Sequence, residues 1–134
     1  MSRFEQEVEV RYNDLDTYGH VNNAVYGTYV EQARVGYVVE VLGVESVDEF
    51  PAVVASLSID FRDSVRTPTS VTVRVWVSRL GDSSVTMNYE VEHGGRLVAE
   101  AETTLVAVDP ATGETRPLPE QWRERIAEYE GLDA

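Results

Sequence analysis

A single stretch with helical periodicity, followed by long stretches in which apolar residues fall at every second position, constrains this chain more than any other feature. Val53, Ala55, Leu57, Ile59 and Phe61 share one face of an expected strand, and Val71, Val73, Val75 and Val77 share one face of the next. Gly81-Asp82-Ser83 and His93-Gly94-Gly95 supply turn chemistry before Val85-Met87-Tyr89-Val91 and before the run from Leu97 to Val108. Connections this short predict an antiparallel meander. Upstream, Val8, Val10 and Tyr12 alternate as a first strand. Between Asn23 and Leu42, residues Tyr26, Val30, Ala33, Tyr37 and Val41 lie on one helical face, Tyr29 and Val38 widen it, and Gly43 fits a C-cap. Val35, Val38, Val39 and Val41 are indifferent helix formers, so burial must hold this helix. The expectation is an α+β fold with a curled antiparallel sheet of about five strands around one long helix. Four-helix and doubly wound folds do not fit.

At 134 residues and 15.0 kDa the chain reads as one domain, 1–134, large enough to bury roughly two-thirds of its unfolded surface. Pro110-Ala111-Thr112-Gly113 reads as a turn, and residues 119–130 as a C-terminal helical appendage carrying Trp122, Ile126 and Tyr129. No apolar run approaches the ~20 residues that cross a bilayer. The start, Met1-Ser2-Arg3-Phe4-Glu5, lacks the apolar core of a signal peptide, so a cytoplasmic protein without membrane association is expected. Cysteine is absent, which removes disulfides, thiolate metal sites and a cysteine nucleophile. All eleven basic residues are arginine and the net charge is −13. Self-repulsion at that charge weakens a compact state in dilute buffer, whereas at ~1 M salt the Debye length falls to about 3 Å. Adaptation to a salty cytoplasm is the expectation. With no basic stripe to replace phosphate counterions, nucleic acid is not an expected partner.

Reactive groups concentrate between the first strand and the helix. The segment from Tyr12 to Tyr26 holds Asp14, Asp16, Gly19 and His20, and Asn22 or Asn23 suits an N-cap. Backbone N–H groups at a helix start lack intrahelical partners and carry the positive end of the helix dipole, so they can hold a carbonyl oxygen that is becoming negative. A carboxylate and a polarised carbonyl suffice for hydrolysis. From position alone, a loop aspartate is most often a cap or turn residue.

Asp14, Asp16, Gly19 and Tyr26, followed by Glu31-Gln32-Ala33-Arg34, resemble the motif of the 4-hydroxybenzoyl-CoA thioesterase-like group of hotdog-fold acyl-CoA thioesterases, an Asp-x-Asp-x-x-Gly loop before a long helix. The later strand pattern is compatible with that group to about Asp109. His20-Val21-Asn22-Asn23, with Asp14-Leu15-Asp16, is also similar to the loop of plant acyl-ACP thioesterases. The resemblance implies the hotdog fold, an acyl-CoA substrate and a homodimer or homotetramer that joins sheets edge to edge. It implies that Asp16 either attacks the thioester carbonyl, giving an anhydride, or activates water as a general base. It further implies that His20 orients Asp16 or protonates the leaving thiolate, and that the backbone amide of Asn23 meets the thioester oxygen, with Asn22 serving if the register slips by one. The plant-type enzymes carry a catalytic asparagine two residues after the aspartate, where this chain has Tyr18. That departure favours an Asp-centred site assisted by His20.

Asp14 would point away from Asp16 in a locally extended loop and is read as holding the loop through backbone N–H bonds. Glu31 is read as an i,i+3 partner of Arg34, although some hotdog thioesterases use a helical glutamate. Arg62, Arg66 and Arg79 are candidate contacts for CoA phosphates, their alternative being solvated strand ends. His93 is read as a turn residue. No metal or cofactor is called for, since Asp14, Asp16 and His20 sit in one short loop without a distant partner ligand. Two competing functions remain: hydrolysis of acyl groups from acyl carrier protein, and non-hydrolytic binding of acyl-CoA by a regulator.

Overall fold

The computed structural model of the chain describes residues 3–44 and 50–133; Met1 and Ser2 of the N-terminus read above lie outside them. The elements are β1 (Phe4–Val10), α1 (Val25–Leu42), β2 (Ala52–Phe61), β3 (Thr69–Leu80), β4 (Ser84–His93), β5 (Arg96–Ala107) and α2 (Glu120–Glu130), with one 3-10 turn at Tyr12–Asp14. Five antiparallel strands form one sheet in the order β1-β3-β4-β5-β2. This is the hotdog architecture, a curled sheet with α1 against its inner face. Among the described residues no helix is long and apolar enough to cross a membrane.

The alternating valines do what period two requires. Val71, Val73, Val75 and Val77 of β3 and Val85, Met87, Tyr89 and Val91 of β4 are all buried. Against them α1 buries Tyr26, Tyr29, Val30, Ala33, Tyr37 and Val38; its last buried residue is Leu42, with Val41 half-buried. Gly36 permits the approach to β1, since a Cβ there would stand 2.5 Å from Gln6 Oε1 and 3.1 Å from Phe4 Cζ.

Two features of the sheet depart from the sequence reading. Only β3, β4 and β5 form a meander, because β2, delivered across the inner face by α1, pairs with β5 and becomes the edge opposite β1. A register shift between Val54 and Ser56 also interrupts the alternation in β2. Ala52, Val54, Leu57, Ile59 and Phe61 therefore stand beside the inward residues of β5, while Val53 stands opposite Val106. Alternation of this kind ordinarily marks a strand with one buried face, but on this edge Val54, Leu57 and Phe61 are 46%, 48% and 43% exposed.

The outer face is acidic. Asp60 lies directly opposite Glu100, and Glu100 opposite Glu90, so three carboxylates line up across β2, β5 and β4. Arg62 forks onto Glu100 at 3.1 and 2.8 Å, and Arg74 bridges Glu5 and Glu92.

Helix α2 is stapled to the body. Trp122, Ile126 and Ala127 are buried. Arg125 donates to the Leu42 carbonyl at 2.6 Å, closing the C-terminus of α1, where Gly43 adopts a φ of 69°. Glu130 Oε2 accepts the Tyr37 hydroxyl at 2.6 Å and the Val77 N–H at 2.8 Å, beside the irregularity between Val77 and Arg79.

Three tyrosines of α1 tie stability to alkaline pH. Burial pushes the Tyr26 pKa up, and the Asp63 charge adds to it; burial also pushes up the pKa of Tyr29 and Tyr37, helped by their hydrogen bonds to Asp14 and Glu130. Each folded phenol thus keeps a proton that the unfolded chain releases above pH ~10. Their contribution is complete below that pH and declines above it. Urea unfolding at stepped pH values is expected to show stability falling with a negative slope above about pH 10. A flat profile there, with tyrosinate absorbance rising while the protein stays folded, would contradict it.

Candidate active site

The loop between β1 and α1 is a small closed turn built on backbone bonds. Leu15 and Val21 form an isolated antiparallel bridge, the Asp16 N–H donates to the His20 carbonyl at 2.9 Å, and the Gly19 N–H donates to the Asp16 carbonyl at 3.0 Å. Gly19 closes the turn at a φ of 80°, a conformation that side chains rarely adopt. The Val21 N–H donates to the Val65 carbonyl at 2.8 Å, which seats this loop beside the segment after β2.

The two aspartates occupy opposite environments. Asp14 is buried, and its Oδ2 accepts the Tyr29 hydroxyl at 2.8 Å and the Arg11 N–H at 2.9 Å. Asp14 is thus a strut of the 3-10 turn, with Oδ2 doubly hydrogen-bonded and Oδ1 3.6 Å from the Arg11 guanidinium. Asp16 has a side chain 21% exposed, and its Oδ1 accepts the Tyr18 N–H at 2.9 Å. Among the described residues, Oδ2 of Asp16 has no hydrogen-bond partner. Asp16 lines an open groove of about 780 Å³ together with Tyr12, Asp14, Thr17, Asn22 and Val25. Of the two carboxylates Asp16 is the more available, its side chain 21% exposed against 7% for Asp14.

His20 stands with Nδ1 3.9 Å from Asp16 Oδ1, within ion-pair reach but beyond a hydrogen bond, and 3.3 Å from the Val21 carbonyl. Its ring stacks on Tyr18, with centroids 6.2 Å apart and planes 16° apart.

The helix start differs from the sequence reading. Neither Asn22 nor Asn23 is the N-cap; α1 begins at Val25 with Ala24 in the cap position. The reason is an Asx turn, in which Asn22 Oδ1 accepts the Ala24 N–H at 2.8 Å while the Val25 and Tyr26 amides bond to the carbonyls of Asn22 and Asn23 at 2.9 and 3.3 Å. The Asn22 N–H is itself committed to the Asp14 carbonyl at 3.0 Å. The Asn23 N–H donates to no acceptor among the described residues.

The three arginines separate. Arg66 follows Val65, whose carbonyl holds the site loop, and it is exposed without an ion pair among the described residues. Arg62 is occupied by Glu100. Arg79 sits at the far end of β3: Val10 pairs with Thr69, and ten further residues of strand carry Arg79 about 33 Å away. Within one chain it does not share a mouth with Asp16. Glu31 and Arg34 approach at 3.8 Å on α1. They flank a second groove of about 220 Å³ between α1 and β2, lined by Val35, Val38, Ala52, Val54 and Leu105. His93 ends β4 with Nδ1 3.3 Å from the Ser70 carbonyl. Among the described residues no three His, Asp or Glu side chains gather closely enough to hold a metal ion.

Residues 10–126 match the family model of the thioesterase-like superfamily. The chain belongs to that superfamily. It is 36% identical to a thioesterase from Thermus thermophilus crystallised with coenzyme A and zinc, with a TM-score of 0.89 over 100% of both chains. It is 28% identical over 130 residues to the long-chain acyl-CoA thioesterase FadM of Escherichia coli, covering 90% of this chain and 94% of that one. The uncharacterized protein YsmA of Bacillus subtilis is 30% identical over 86 residues, which span 64% of this chain and 58% of YsmA. Membership bears out the hotdog acyl-CoA thioesterase resemblance and supports the expected enzyme class, a thioester hydrolase.

One contact of the site went unread in the sequence. Tyr29 was legible only as an apolar residue one turn after Tyr26, yet its hydroxyl reaches across to Asp14. An i,i+3 aromatic pair carries no sign of which ring delivers a hydrogen bond.

Proposed function

We propose that this enzyme hydrolyses an acyl-CoA to the free acid and CoA, with Asp16 as the reacting carboxylate. The position of Asp16 carries the proposal: it lines the groove before α1 with its side chain 21% exposed and, among the described residues, its Oδ2 free of hydrogen bonds. Placed against the thioester carbonyl, this oxygen either bonds to the carbon, giving an anhydride that water then opens, or takes a proton from water as the water oxygen attacks. Either route breaks the carbon–sulfur bond and adds one water. The Asn23 amide is the best oxyanion donor, since the Asn22 amide is already committed to Asp14. His20, within ion-pair reach of Asp16, supplies the proton taken by the departing thiolate.

The groove between α1 and β2 supports an acyl chain laid along the helix. Val25 at the first groove and Val35 at the second are about 15 Å apart along α1. Arg66, exposed beside the loop and without an ion pair among the described residues, suits a CoA phosphate. Arg66→Ala is expected to raise KM for an acyl-CoA about 10-fold while leaving KM for the matching acyl-pantetheine unchanged. An equal rise for both thioesters, or for neither, would remove Arg66 from nucleotide recognition; indifference of the wild-type enzyme to the nucleotide would favour a carrier-protein substrate.

The unpaired edge of β2, with Val54, Leu57 and Phe61 exposed, supports a homodimer joined at that edge. Asp60, Glu100 and Glu90, facing one another across strands, support the salt requirement expected from the net charge of −13. The melting temperature is expected to rise by roughly 5 °C or more between 0.1 and 2 M KCl, as self-repulsion of the net charge of −13 is screened. Scanning calorimetry giving a constant or falling value would contradict it.

A further inference from the structure

Asp14, buried, meets three separate parts of the site, two through its carboxylate and one through its backbone carbonyl, and the mechanism above assigns it no chemistry. Its Oδ2 accepts the Tyr29 hydroxyl from the second turn of α1 at 2.8 Å and the Arg11 N–H from the end of β1 at 2.9 Å. Its own carbonyl accepts the Asn22 N–H at 3.0 Å. Asp16 lies two residues after this residue, and Asn23 one residue after Asn22. A single residue thus ties the incoming strand, the reacting carboxylate, the candidate oxyanion amide and the helix into one unit.

We infer that Asp14 and Tyr29 are positioning residues, a hydrogen-bonded pair that fixes the distance between the Asp16 carboxylate and the Asn23 amide. The inference rests on the reading of Asp16 as the reacting group. Reaction rates respond steeply to such distances, a displacement of about 1 Å costing up to about 100-fold. The pair is built to hold. Asp14 is 6% exposed and Tyr29 1%, so solvent does not compete for the bond. Burial, the hydrogen bond to Asp14 and the Asp14 charge all push the Tyr29 pKa up, which keeps the phenol a donor at working pH.

The same helix carries its own control. Tyr37 is equally buried and donates at 2.6 Å to a carboxylate, but that carboxylate is Glu130 of α2, remote from the loop. Removing either hydroxyl loosens one buried bond of α1. Only one of them touches the site.

Tyr29→Phe, Tyr37→Phe and Asp16→Asn are therefore compared with the wild-type enzyme for kcat, KM and melting temperature on one acyl-CoA at high salt. Tyr29→Phe is expected to lower kcat about 10-fold with KM within about twofold of wild type. Tyr37→Phe is expected to lose a similar amount of thermal stability and keep its kcat. Wild-type kcat in Tyr29→Phe, a change confined to KM, or an equal kcat loss in both tyrosine variants would overturn the positioning role. Asp16→Asn separates the two failures: an inactive Asp16→Asn beside an unaffected Tyr29→Phe overturns only this inference, whereas an active Asp16→Asn overturns the reading beneath it.

Discussion

Asp16→Asn is expected to lower turnover by about 100-fold or more while acyl-CoA binding and thermal stability stay near wild type. The substitution keeps the volume and the Oδ1 acceptor that receives the Tyr18 N–H at 2.9 Å, and it removes the charge from the otherwise unengaged Oδ2. The loop's backbone bonds, from Asp16 to His20 and from Gly19 to Asp16, do not depend on that charge. His20→Ala is expected to cost less, about 10- to 100-fold, because the imidazole is 3.9 Å from Asp16 and assists proton movement instead of attacking carbon. Steady-state thiol release and a ligand-binding isotherm measured on the same preparations check both. Retained turnover in Asp16→Asn would remove the assignment, and equal losses in the two variants would make Asp16 and His20 one catalytic unit.

Leu57→Lys is expected to convert an assembled enzyme to monomers with little loss of secondary structure. In the single chain Leu57 is 48% exposed on the edge strand, so a lysine there has room to reach water. At a joined edge the same position lies under the second copy, and by two-fold symmetry the charge is buried twice. Light scattering at about 2 M salt should show roughly 30 kDa or more for the wild type and roughly 15 kDa for the variant, with unchanged far-ultraviolet circular dichroism. A wild-type monomer under those conditions would contradict the proposed dimer. A variant that remains assembled would place the interface elsewhere.

The pattern of residues announced the strands and the long helix because both signals are local. Period two in β3 and β4, and period 3.6 through Tyr26, Val30, Ala33 and Tyr37, are written in neighbouring positions. What the sequence hid depends on pairing. The irregularity after Val54 leaves no mark in Ala-Val-Val-Ala-Ser-Leu, yet it reverses the facing of Val53 and brings Val54 beside Leu105. The transfer of β2 to the far edge depends on the path of α1 across the sheet, which no short window records. Within the site, Asp16 was legible through its motif and Asp14 through its spacing. The Tyr29 bond was not, because a tyrosine that fits an apolar helical face gives no sign that its hydroxyl meets a carboxylate fifteen residues away. The Asx turn of Asn22 shows the same ambiguity, since the residue types that cap helices also close turns.

The most direct measurement is thiol release by the wild-type protein from short, medium, long-chain and aromatic acyl-CoAs at high salt, with and without a chelator. The chain contains no cysteine, so every free thiol detected is product. One thiol and one free acid per turnover are expected from at least one member of the panel, at a rate the chelator does not change. Saturable binding of the panel without thiol release would contradict hydrolysis and leave the protein a binder of acyl-CoA.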